Sequence, residues 1–160
     1  MAAAVAERAH AAGATLIVND RADVARLAGA DGVHVGQDDL SPASVRRIVG
    51  ADAIVGLSTH TTHQLDAAVR EPVSYVAIGP VFGTATKATG HDAVGLRMVR
   101  EAAGRARARG LPLVAIGGIT LDRAASVIDA GAASVAVIGD LLAGGDPEAR
   151  VRAFLERLSG

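Results

Sequence analysis

Lys87 is the only lysine in a chain whose other fifteen basic side chains are all arginine. It stands in the glycine-flanked stretch GPVFGTATKATGHDAVGL, residues 79–96, with Thr84 and Thr86 just before it. Lysine is a compact point charge suited to phosphate, and glycine-rich turns open backbone N–H groups to anions. A solitary lysine in an arginine-rich chain therefore reads as a phosphate ligand. A Schiff-base lysine is the alternative, but such a lysine usually projects from a strand, whereas Lys87 lies well beyond the end of one.

Carboxylates, hydroxyls and tight turns supply the other candidates. Asn19-Asp20 and Gln37-Asp38-Asp39 follow the first two apolar runs. Asp20 and Asp39, with an amide beside them, could seat Mg2+, which takes few protein carboxylates and shares its shell with water and phosphate. The competing reading makes both aspartates helix N-caps. Ser58 could bond a phosphate, but capping the helix that starts near Thr59 is the better reading. AIGGIT (115–120) and VIGD (137–140) end the last two runs. Such turns can form a phosphate cup from backbone N–H groups, or can simply be tight turns that need glycine. His60 and His63 are spaced i, i+3, but no third metal ligand is evident, so a solvent-facing helix start is expected. His34 points opposite to Val33 and Val35. A hydrogen-bonded core position is its default reading, and a place on a barrel interior is the other. His91 is expected to be exposed.

Six short apolar runs must position these groups: TLIV (15–18), GVHV (32–35), AIVGLS (53–58), YVAIG (75–79), LVAIGG (113–118) and SVAVIG (134–139). Each is nearly continuous in apolar character, as buried parallel strands are. Helices are predicted between them. Ser41-Pro42 opens one. Thr120 or Asp122 opens another, which stops at Ala130-Gly131. Asp146-Pro147 opens the last, whose Val151, Phe154, Leu155 and Leu158 fall on one face. Polar residues follow every run, which favours a (β/α)8 barrel with its site on the loops after the strands over a doubly wound sheet with one switch point. Six strands are fewer than eight, so the fold expected is a single partial TIM (β/α)8-type barrel domain over residues 1–160, incomplete here.

Composition excludes several classes. Half of the residues are hydrophobic but only 2% are aromatic, so the core must pack small aliphatic side chains. The net charge of −1 argues against a nucleic-acid binder. There is no cysteine, hence no disulfide or thiolate metal site. No apolar run reaches the length of a membrane span. The alanine-rich start is interrupted by Glu7, Arg8 and His10, so it reads as an amphipathic helix rather than a signal peptide, and the protein as cytoplasmic.

The ordered series IVND, GVHVGQDDL, GLSTHT, YVAIGPVFGTATK, AIGGIT and VAVIGDLL resembles the thiamine phosphate synthase family from about residue 13 to the C-terminus. The resemblance implies a (β/α)8 barrel, here its third to eighth strands. It implies a transferase that joins a hydroxymethylpyrimidine diphosphate to a thiazole phosphate, releasing pyrophosphate with Mg2+. It implies that Asn19, Ser58 and Lys87 contact the diphosphate, with Ser58 and Lys87 in the catalytic set, and that Asp20 and Asp39 hold Mg2+. Thr84, Ala85, Thr86, Gly118, Ile138 and Gly139 fall where the thiazole phosphate binds.

Two positions depart from the family pattern. Gly139 stands where serine is frequent, and Gly83-Thr84 where many members have Pro-Thr. The family also carries a Gln-x-Arg-x-Lys segment at the end of its second strand, which is not found in these 160 residues. The expectation is a chain cut short by a misplaced start. A shortened form, or a short protein closed by association of its own copies, are the other readings. A thiazole tautomerase-like barrel and an inactive phosphate-binding remnant are the alternative functions. Both aspartates and the Thr-x-Thr-Lys run speak against the tautomerase, which needs no magnesium-diphosphate site.

Overall fold

The computed structural model describes residues 1–83, 90 and 92–158. Strands and helices alternate in the order α1 (Ala2–Ala11), β1 (Ile17–Asn19), α2 (Ala22–Ala28), β2 (Gly32–Val35), α3 (Pro42–Val49), β3 (Ile54–Thr59), α4 (Thr62–Ala68), β4 (Tyr75–Ile78), α5 (Gly95–Arg107), β5 (Leu113–Ile116), α6 (Leu121–Asp129), β6 (Ser134–Ala136), α7 (Gly139–Leu142) and α8 (Pro147–Leu158). The six strands form one sheet in sequential order, every neighbouring pair parallel. An order without reversal has no switch point. It is the winding of a (β/α) barrel arc, with β1 and β6 as the two edges among the described residues.

Local chemistry sets the helix ends. Ser41 Oγ accepts from Ser44 N at 3.3 Å, and Pro42 occupies the first turn of α3. Thr61 caps α4 by accepting from Gln64 N at 3.2 Å, while Gln64 Oε1 accepts from His60 N at 2.7 Å, close to a capping box. Asp146 Oδ1 accepts from Ala149 N at 3.0 Å and starts α8.

Strand alternation divides the sheet into two faces. Val33, Val35, Val55, Leu57, Val76, Ile78, Leu113 and Ala115 are buried against the helices. There they meet Ala22, Ala25, Val45, Leu65, Val99, Ala102 and Val127. Small helical residues let the helices lie close to the sheet, as the aromatic-poor composition requires, and each buried valine or leucine contributes about 1.5–3 kcal/mol. The other face carries His34, Gly56, Ser58 and Tyr75. At the N-terminal ends of the strands, Arg46 donates to Pro72 O, Ala51 O, Ala53 O and Ser74 Oγ, tying α3 to the starts of β3 and β4.

The expected stripe on α8 is only half buried. Phe154 is inside, but Val151 and Leu155 are exposed, because α8 packs on α6 and α7 through one edge of that face. No helix among the described residues is long and apolar enough to cross a membrane.

Candidate functional site

In a parallel sheet all strands end on the same side. β1, β2 and β3 therefore deliver Asn19, Asp20, Asp39 and Ser58 to one rim. Asn19 pairs with His34, His34 with Gly56, and Gly56 with Tyr75. Asp20 follows β1 with φ 62, the one described residue besides glycine in the left-handed region. Its N–H donates to His34 O at 2.7 Å. A non-glycine residue held there costs free energy, and such residues cluster at functional sites.

Asp39 turns back on its own loop, its Oδ2 accepting from Gly36 N at 2.7 Å. Neither aspartate is an N-cap. α2 is preceded by Arg21, without a side-chain cap, and α3 is capped by Ser41. The capping alternative is thereby removed, because the connections run one or two residues longer than that reading assumed. Two carboxylates at neighbouring strand ends suit Mg2+, which completes its shell with water and substrate oxygens. Among the described residues no group of three or more acidic or imidazole side chains could hold a metal on its own.

Ser58 is not a cap either. β3 continues through Thr59, and Thr61 caps α4. Ser58 Oγ instead lies 2.8 Å from His34 Nε2, while Tyr75 Oη lies 2.9 Å from His34 Nδ1. The two rings stack with centroids 5.5 Å apart. Gln37 Nε2 donates to Ser58 O at 2.6 Å. His34 thus meets both of its readings, hydrogen-bonded and on the inner face. Burial holds its imidazole below the usual value near 6.5, and the Asp39 carboxylate acts in the opposite direction. Burial also pushes the Tyr75 phenol up.

His60 differs from expectation. It is half-buried, and its Nδ1–H donates to Gly79 O at 2.6 Å, because it directly follows β3 and precedes the Thr61 cap rather than starting the helix. His63 is exposed on α4, as expected.

The second group of candidates lies at the ends of β5 and β6. Gly117 and Gly118 have φ 101 and 60, and a Cβ on Gly118 would lie 2.5 Å from Gly83 O. Only glycine permits both the backbone conformation and this approach. Phe82 N donates to Gly117 O at 3.0 Å, and the Arg123 guanidinium sits 4.8 Å over the Phe82 ring while donating to Gly118 O. Ile138 and Gly139 are exposed at the start of α7. Next to them, Asp140 Oδ2 accepts from Leu121 N at 3.0 Å and from Arg150 Nη2 at 2.8 Å, tying the two turns together. Thr84, Ala85, Thr86, Lys87 and His91 lie outside the described residues.

Reading residues one at a time missed the partners of these groups. Tyr75, Gly56, Arg123 and the Asp140–Arg150 pair act through contacts between elements. The available signal was a glycine inside an apolar strand at Gly56, which marks close approach.

This rim, polar and glycine-rich over the C-terminal ends of parallel strands, belongs to a (β/α)-barrel protein, a class that carries its sites on the loops after the strands. The family model TMP-TENI, thiamine monophosphate synthase, matches residues 1–141, and the chain belongs to that family. A thiamine-phosphate synthase of Koribacter versatilis (strain Ellin345) is 52% identical over 147 residues, covering 90% of this chain and 66% of that protein. The thiamine-phosphate synthase of Roseiflexus castenholzii is 48% identical over 147 residues, covering 92% of this chain and 63% of that protein. The chain thus spans slightly under two thirds of the length of these two curated relatives. The solved thiamine phosphate pyrophosphorylase of Pyrococcus furiosus superposes with a TM-score of 0.86 at 27% identity, covering 98% of this chain and 75% of that one. The expected barrel-type α/β fold is borne out.

Proposed function

We propose that this chain carries thiamine phosphate synthase chemistry, joining hydroxymethylpyrimidine diphosphate to thiazole phosphate. The observation that carries the reading is the delivery of Asn19, Asp20, Asp39 and Ser58 to one rim by three consecutive strands. The reaction breaks the bond between the pyrimidine methylene carbon and the diphosphate oxygen. It forms a bond from that carbon to the thiazole nitrogen, and the bonding electrons of the broken bond leave with pyrophosphate. No covalent nucleophile and no strong base is required.

Asp20 and Asp39 would hold Mg2+, which supplies positive charge against the departing diphosphate. Asn19 and the Ser58 hydroxyl orient the diphosphate. Lys87 would bring an ammonium to the same oxygens, where charge in a water-poor site is worth more than in water. The glycine turn at Gly118 and the backbone at Ile138 and Gly139, with Thr84, Ala85 and Thr86, take the thiazole phosphate and so aim the ring nitrogen at the carbon. Gly139 keeps a backbone N–H there without the hydroxyl a serine would add. The same reading assigns the protein to the cytoplasm.

The test is pyrophosphate release with both substrates, with and without Mg2+, on this chain and on a form extended upstream. Release that needs Mg2+ and both substrates is expected from the extended form at least. Binding of thiazole phosphate by both forms, with release from neither, would instead identify a non-catalytic phosphate-binding protein.

A further inference from the structure

We propose that His34 and Tyr75 are positioning residues that fix the hydroxyl proton of Ser58, so that it points away from the imidazole and into the mouth as a donor to an anionic oxygen. The inference rests on the reading of Ser58 as a diphosphate contact and adds to it how the contact is oriented.

The geometry is a chain of three groups. Tyr75 Oη is 2.9 Å from Nδ1 of His34, and Ser58 Oγ is 2.8 Å from Nε2. A neutral imidazole has one N–H and one acceptor nitrogen, so the partner at one end sets the role at the other. A phenol is the more acidic of the two hydroxyls and the better donor, so Tyr75 O–H donates to Nδ1. Nε2 then carries the proton and donates to Ser58 Oγ. The single hydroxyl proton of Ser58 is left for a third partner. In the opposite tautomer Ser58 would donate to Nε2 and show a bound anion only lone pairs, which repel it.

Two features hold this chain in place. Gly56 stands between His34 and Tyr75 in the strand register, and a Cβ there would stand 2.1 Å from Tyr75 Cζ and 2.5 Å from His34 Nδ1. Gln37, three residues after His34, holds the Ser58 carbonyl at 2.6 Å. Ser58 is thus gripped at both side chain and backbone by residues of one neighbouring strand and its loop.

Nitrogen-15 NMR of the imidazole reads the tautomer directly. In the resting protein at pH 8 the proton is expected on Nε2 of His34, and an Nδ1–H tautomer overturns the proposal. Calorimetry with inorganic pyrophosphate and Mg2+ gives the second readout. Tyr75→Phe is expected to weaken binding about 3- to 10-fold, the range of one hydrogen bond. Ser58→Ala should weaken it at least as much. Tyr75→Phe added to Ser58→Ala should cost nothing further, since the two act through one proton. An equal loss on both backgrounds would mean that Tyr75 only supports the fold, and would overturn the proposal. If the unaltered chain binds no pyrophosphate, the functional reading fails by itself, and the tautomer still decides this inference.

Discussion

Gly56 and Tyr75 face each other across β3 and β4 so closely that a Cβ on Gly56 would lie 2.1 Å from the tyrosine ring. The missing side chain is what lets Tyr75 reach His34. Gly56→Ala must push the ring aside, at a cost of about 1–3 kcal/mol for overpacking. The hydrogen bond to Nδ1 should be lost as well. Urea denaturation should report the stability change. Pyrophosphate affinity should fall as it does in Tyr75→Phe, although position 56 offers no group to a ligand.

Asp20→Gly separates stability from function. Asp20 sits at φ 62, where a side chain is strained and glycine is not. Relief of that strain offsets the greater chain entropy of glycine, so the backbone contribution to stability should change by no more than about 1 kcal/mol. Mg2+-dependent pyrophosphate binding should fall by orders of magnitude, because the carboxylate is gone. Isothermal calorimetry beside a thermal melt gives both numbers. Unchanged binding would remove Asp20 from the metal site.

The parts of the fold readable in the sequence were those that depend on one strand at a time. All six apolar runs became strands, and Ser41-Pro42 and Asp146-Pro147 opened helices as their residue types require. That His34 points to the opposite face from Val33 and Val35 followed from alternation alone. What failed depended on register or on how far an element runs. Ser58 read as a cap, but β3 extends one residue past it and Thr61 takes the capping role. The His34–Tyr75 bond joins residues 41 positions apart, and no local pattern states which of the five histidines the single tyrosine will face. Val151 and Leu155 have helical spacing, yet they stay exposed, because periodicity identifies a face and not the neighbour that covers it.

The pH dependence of stability should carry the signature of His34. Burial depresses its folded value below the usual 6.5, so between the two values the unfolded chain binds more protons than the folded one. The contribution is fully present above about pH 6.5. It is lost as pH falls from there through the folded value, and it levels off below that. The groups facing the ring are the Tyr75 phenol, the Ser58 hydroxyl and, through space, the Asp39 carboxylate. His34→Gln should therefore flatten the decline in melting temperature between pH 7 and pH 5, ranges set by the ordinary histidine value. A parallel decline in both proteins would place the proton uptake elsewhere.

Arg46 offers a stability test far from the candidate site. Its guanidinium donates to three carbonyls, Pro72 O and Ala51 O at 2.9 Å each and Ala53 O, and to Ser74 Oγ at 3.0 Å. Ser74 Oγ also accepts from Val55 N at 3.1 Å, so one planar cation organises the starts of β3 and β4 together. A lysine keeps the charge but cannot reach acceptors spread around a fork. Arg46→Lys should therefore destabilise nearly as much as Arg46→Met, each by about 2–3 kcal/mol, through partly exposed charge-assisted bonds. The urea midpoint should fall while the slope stays constant. Pyrophosphate binding at low temperature should be unchanged, because these acceptors lie at the opposite ends of the strands from Asp20 and Ser58. Full stability in Arg46→Lys would mean that charge alone, and not the fork, holds these loops.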